Sequence, residues 1–164
     1  MALKDAFIAE LKHESALTKK ILERVPFDKK DWKPHEKSMT IGRLATHIAQ
    51  TPHWVSDILH SPDFDFAGRS FPSNTAASLE ELLYIFQEKL DPAIADLEKA
   101  SDELMNQSWT VRVGDKVMYQ LVKKVAIRGW AFNHLIHHRG QLSVYLRLLD
   151  IPVPGMYGPS ADER

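Results

Sequence analysis

Three imidazoles stand within one ten-residue stretch, "NHLIHHRGQL" from Asn133 to Leu142, in a segment whose apolar residues recur at helical spacing. His134 and His138 are one turn apart. Side chains at i and i+4 lie one above the other on a helix face, so the two rings can converge on a single ion. His137, three after His134, also permits convergence but leans to the other side of the stripe, which ranks the 134/138 pair above 134/137. Two inward imidazoles could instead bond to each other and to a carboxylate. Sharing a cation satisfies both at once without burying an unpaired charge.

A pair of imidazoles does not complete a transition-metal site. Zinc and its neighbours take three protein ligands and an open position when they do chemistry, and four ligands when they do not. The chain has no cysteine and eight histidines, so a third His from another helix is the natural completion. His47 is the best candidate, since it lies beside Leu44, Ala45 and Ile48 at a spacing that faces the core. His53 and His60 fall at or beyond the end of that apolar face, and His13 and His35 have polar surroundings. A lone inward His is more often a hydrogen-bonded core residue than a ligand; the His134/His138 pair shifts the balance toward metal. An ion on three neutral imidazoles keeps its full charge and an open position, which acidifies a bound water or thiol and polarises a substrate oxygen. No general base is evident, and Gln141 and Tyr145 are the candidates to support the ligands from the same face.

Several other chemistries drop out. Leu135 follows His134, so the glutamate of an H-E-x-x-H protease is missing from its place. There is no Gly-rich phosphate loop, no G-x-S-x-G elbow and no inward cluster of carboxylates of the di-iron type. Arg139 reads as a solvated helix residue, and Trp54 and Trp130 as core aromatics. With 21 basic and 22 acidic residues there is no positive field for a phosphate backbone, so nucleic-acid binding is disfavoured despite Lys123, Lys124 and Arg128. No apolar run approaches the roughly 20 residues that a membrane span needs. "MALKDAFIAELKHE" interrupts its apolar residues with charge before any signal-peptide core forms, and the expected compartment is the cytoplasm.

The elements that must position these histidines are helical. At 164 residues the chain is expected to form one domain over 1–164, of all-α class, with a small hairpin before the last helix. The first helix runs from about Leu3 to Val25 with Phe7, Leu11, Leu17, Ile21 and Val25 inward, and ends at Pro26. A second starts from Thr40 as N-cap and reaches roughly Leu59. The stretch 60–77 is a long irregular loop of the kind that borders sites. Ser78 and Glu81 form a capping box that opens the third helix, within which Pro92 predicts a kink or a restart. Alternation around Gly114-Asp115 predicts the hairpin, and a fourth helix runs from near Tyr119 to about Leu149. Four one-sided stripes must pack together as a four-helix bundle.

With "WKPHEKSMTIGRLATHIAQTPHW" upstream and "YLRLLDIPVPGMYGPSADE" downstream of "NHLIHHRGQL", nearly the whole chain resembles the DinB family of DinB/YfiT-like metalloenzymes. The resemblance implies a four-helix bundle, commonly a homodimer, with a three-His divalent metal site formed by His47, His134 and His138. It implies zinc or nickel, with iron and manganese also within range, and a small-molecule substrate, with a low-molecular-weight thiol as one option. Family members include thiol S-transferases and hydrolase-like proteins, so the reaction is not fixed. Three readings stand: a metal-dependent hydrolase or thiol S-transferase, a non-catalytic metal-holding or stress-associated protein, and a bundle whose histidines only pack.

Overall fold

In the computed structural model, residues 3–69 and 74–163 are described, and part of the expected 60–77 loop lies outside them. Helix α1 spans Leu3–Leu22 and buries Phe7, Leu11, Leu17 and Ile21 on one face. The spacing of those residues is the reason the helix docks on that side.

The segment expected as one helix from Thr40 to Leu59 is two: α2, Ile41–Gln50, and α3, His53–His60. Thr40 does cap α2, its hydroxyl accepting from Arg43 N at 3.2 Å. Pro52 makes the break. It has no N–H to give the Ile48 carbonyl, which accepts from Thr51 N at 3.2 Å instead, while the Thr51 hydroxyl donates to the His47 carbonyl at 2.8 Å.

Helix α4, Leu79–Lys99, starts at Ser78, whose Oγ accepts from Glu81 N at 3.1 Å. The box is only half made, because Glu81 reaches one residue further back, to Ala77 N at 2.6 Å. Pro92 sits inside α4 without ending it. The carbonyl it deprives belongs to exposed Glu88, where water can serve. The short helix α5, Asp102–Met105, follows.

The all-α expectation needs amending, since the chain also holds a three-stranded sheet of order β1-β2-β3. The expected hairpin is β2, Ser108–Val113, and β3, Lys116–Val122, turning at Gly114, whose φ of 57° favours glycine. The unexpected strand is β1, Asp63–Asp65, parallel to β2 and drawn out of the loop. Arg112 holds it there, donating to Asp63 at 2.8 Å and pairing with Asp65 at 2.6 Å.

The last helical stretch begins at Lys123, four residues later than Tyr119, because Tyr119–Val122 pair with β2. It comprises α6, Lys123–Ile127, a π-helical turn over Arg128–Asn133, and α7, His134–Leu148. A π turn carries one extra residue, which shifts the helix face by roughly 100° between α6 and α7. Asp150, at φ 58°, closes α7 in the left-handed conformation, and Ile151 N returns to the Leu146 carbonyl at 3.0 Å. Helix α4 packs on α1, α2 and α3, and α7 packs on α1 and α2, so the helices share one buried core.

On α7 the buried stripe is Leu135, Arg139, Leu142 and Leu146. Arg139 is therefore not solvated: it is 2% exposed and donates to Glu14 Oε2 of α1 at 2.6 Å, to the Glu14 carbonyl at 3.0 Å and to Thr18 Oγ1 at 3.2 Å. Tyr157 of the tail also donates to Glu14 Oε2, at 2.8 Å, and receives a hydrogen bond from Arg139. The i+4 step from Leu135 places this guanidinium inward, and Glu14 compensates its charge. No helix of the described residues is long and apolar enough to cross a membrane.

Candidate metal centre

His134 opens α7 and His138 follows one turn later, next to the buried stripe and turned toward α2. Helix α2 presents His47 from its last turn. The three rings meet there, each half-buried, with one nitrogen of each within 4.8 Å of the others. His47 Nε2 and His134 Nε2 are 3.0 Å apart, and the His138 ring centroid is 4.6 Å from each of the other two. Nitrogens sharing one ion at about 2.0–2.1 Å must stand roughly 3–3.4 Å apart, so the His47–His134 pair already has the spacing a common ion requires.

The outer edges of the rings are held as well. Gln141 Oε1 lies 2.7 Å from His138 Nδ1; a proton on Nδ1 donated to that oxygen leaves His138 Nε2 free as a donor atom. The Trp130 carbonyl accepts from the His134 ring. At the end of the π turn the His134 N–H bonds to Ala131 O and not to Trp130 O. Trp130 itself is wedged among Trp54 at 4.9 Å and Trp109 at 5.3 Å, and its Nε1 donates to Tyr119 at 3.1 Å. The aromatic wall thereby fixes the turn that launches both α7 histidines.

Burial, followed by the repulsion of His138, His134 and Arg43, pushes His47 down to about 4. Burial, then His138 and His137, pushes His134 down to about 4 against the Trp130 bond, and burial likewise lowers His138. All three are neutral near pH 7, the state in which imidazole binds metal. The sign for stability follows: an unfolded chain takes up protons below about 6.5 that these folded rings refuse, so stability is whole above that pH and declines as pH falls toward about 4. Thermal melts of metal-free protein between pH 7 and 4 are expected to show this decline, with a shallower slope in His134→Gln. An unchanged slope in the variant would contradict the assignment.

A cavity of about 470 Å³ opens beside His47, within the size range of small-molecule sites, with Met39, Thr51 and Trp54 in its wall. The Thr46 hydroxyl, accepting from Ala76 N at 2.9 Å, holds the returning loop over α2, and Asn74 reaches the same wall. Arg43 and Lys89 line it too. Neither was singled out from the sequence, although Arg43 precedes His47 by one helical turn and could have been found by that spacing.

The remaining histidines stay outside the cluster, although His53 lines the cavity. His137 is exposed, His53 pairs with Asp57 at 3.1 Å and His60 with Asp96 at 3.0 Å. Tyr145 stands off the cluster, edge-on to Trp32 at 5.7 Å and donating to the Met39 carbonyl at 3.4 Å.

Comparison with known proteins bears on this geometry. A family model described as the DinB family matches residues 1–164. YrdA of Bacillus subtilis (strain 168), described as uncharacterized, is 22% identical over 164 residues, covering 97% of this chain and 90% of that protein. The crystal structure of a DinB-like protein from Bacillus cereus ATCC 10987 superposes with a TM-score of 0.72 at 20% identity, over 93% of this chain and 97% of that one. YfiT of Bacillus subtilis, described as a probable metal-dependent hydrolase with an unusual four-helix bundle topology, superposes with a TM-score of 0.59 at 19% identity, over 88% and 87% of the two chains. The helical fold is thus shared with DinB-like proteins.

Proposed function

Because this chain belongs to the DinB family, we propose that His47, His134 and His138 hold one divalent metal ion with an open position, in a metal-dependent enzyme acting on a small molecule by hydrolysis or thiol transfer. The observation that carries this reading is the meeting of three neutral imidazoles, one of which, His47, lines a cavity. The description of YfiT as a probable metal-dependent hydrolase agrees with it. A nitrogen-only donor set suits zinc or nickel.

When bound, such an ion acidifies a water or thiol in the open position and polarises a substrate oxygen. The chain's own groups do the rest. Gln141 keeps the His138 proton on Nδ1, and the Trp130 carbonyl orients the His134 ring. Trp54 and Met39 give the substrate an apolar wall that excludes water. Replacing Gln141 by Leu is expected to weaken metal binding about 10- to 100-fold in a chelator-competition titration, and Gln141→Glu to restore it. Equal affinities in all three proteins would remove Gln141 from the account.

The functional test is turnover of small esters, amides and thiol–electrophile pairs, with and without zinc or nickel. Metal-dependent turnover that His47→Ala abolishes is the expected result. The cluster contains no carboxylate among the described residues, and that favours a second reading, a non-catalytic metal-holding protein. Stoichiometric metal with no turnover across the panel would decide for it.

A further inference from the structure

The metal cluster and its cavity present a charge problem. Three neutral ligands leave a divalent ion uncompensated, and a buried charge calls for a partner. The wall supplies more positive charge instead, from Arg43 and Lys89, together with His53 and the neutral amides of Gln50 and Asn74, and no carboxylate among its described residues. Arg43 stands one turn before His47, and its guanidinium makes no hydrogen bond or ion pair with any described residue. Among the described residues the Lys89 ammonium pairs only with its neighbour Glu88, at 3.3 Å, a contact too exposed to hold it. An arginine next to a cation site opposes the cation. It has a use if the ligand brings the missing negative charge.

We propose that the cavity beside His47 takes a small carboxylate-bearing ligand, whose carboxylate is gripped by Arg43 and Lys89. Arg43 offers the planar fork that matches a carboxylate, and Lys89 adds a point charge. A phosphate is the poorer match. The start of α3 also reaches the wall through His53 and Trp54, but the N–H groups of Trp54 and Val55 are already given to the Thr51 and Pro52 carbonyls and are not open to a phosphate. The proposal deepens the metal reading by naming the substrate class, yet its binding step can be measured without metal.

The probes are succinate, its neutral analogue succinamide, and inorganic phosphate, titrated calorimetrically into metal-free and zinc-loaded protein. Succinate is expected to bind both forms and the zinc form more tightly, with succinamide weaker by about tenfold or more. Arg43→Gln should lose about tenfold or more in succinate affinity while binding zinc as well as or better than the wild type, because a repelling charge is gone. Lys89→Gln should lose less. The opposed signs separate a binding role from mere support of the fold, which would weaken both, and melting temperatures confirm that the variants fold. Equal binding of succinate and succinamide, an Arg43→Gln protein that binds succinate unchanged, or tighter binding of phosphate than of succinate would each overturn the proposal. Arg43-dependent succinate binding without stoichiometric zinc would sink the metal reading alone.

Discussion

Replacing His134 by Ala is expected to lower bound zinc or nickel from about one ion per chain to near none, measured by elemental analysis after dialysis against a weak chelator. The loss follows from geometry. His134 Nε2 stands 3.0 Å from His47 Nε2, and without it His47 and His138 leave two donors in a site that needs three. The affinity change should exceed the roughly 100-fold that groups behind the ligands can cost. His137→Ala is the control on the same helix: its ring is exposed and lies outside the cluster, so its metal content should match the wild type. If His137→Ala loses the metal and His134→Ala keeps it, the ligand assignment is wrong.

Replacing Arg139 by Ala is expected to destabilise the fold by about 3–5 kcal/mol, because it strands the carboxylate of Glu14 in the core. For a chain of this size that corresponds to a fall of about 6–20 °C in melting temperature. Calorimetry of the metal-free proteins is the measurement. A double-mutant cycle with Glu14→Ala should show that the two losses are not additive, since the second replacement removes the group the first left unpaired. Below the lowered transition the variant should still bind metal, because Arg139 points to α1 and not to the histidines. A change under about 1 kcal/mol would mean that water reaches Glu14 and that the pair is not the anchor described.

Arg139 also shows where a linear reading of this chain runs out. An i, i+4 pair is a local signal, so His134 and His138 could be placed on one face from the sequence, and the apolar neighbours of His47 were enough to turn it inward. The polarity of Arg139 argued for solvent, and only the approach of Glu14, 125 residues away in the chain, makes the buried position tenable. Strand β1 is the same kind of case: a three-residue strand has no pattern of its own and exists because β2 and Arg112 receive it. The break between α2 and α3 was written locally, in Pro52, but lay inside a convincing apolar stripe. The π turn had no local signature. Trp130 within it docks among Trp54 and Trp109, residues far apart in the chain. The charge on the cavity wall likewise needed α2 and α4 side by side before Arg43 and Lys89 could be read together.

The most direct measurement is a crystal structure of the zinc- or nickel-loaded protein with anomalous data collected at the metal edge. The account predicts one peak within about 2.0–2.2 Å of a ring nitrogen from each of His47, His134 and His138, with an open or solvent-filled position facing the cavity. A peak held by His53, His60 or His137, or no peak among the three rings in crystals that contain the metal, would contradict it.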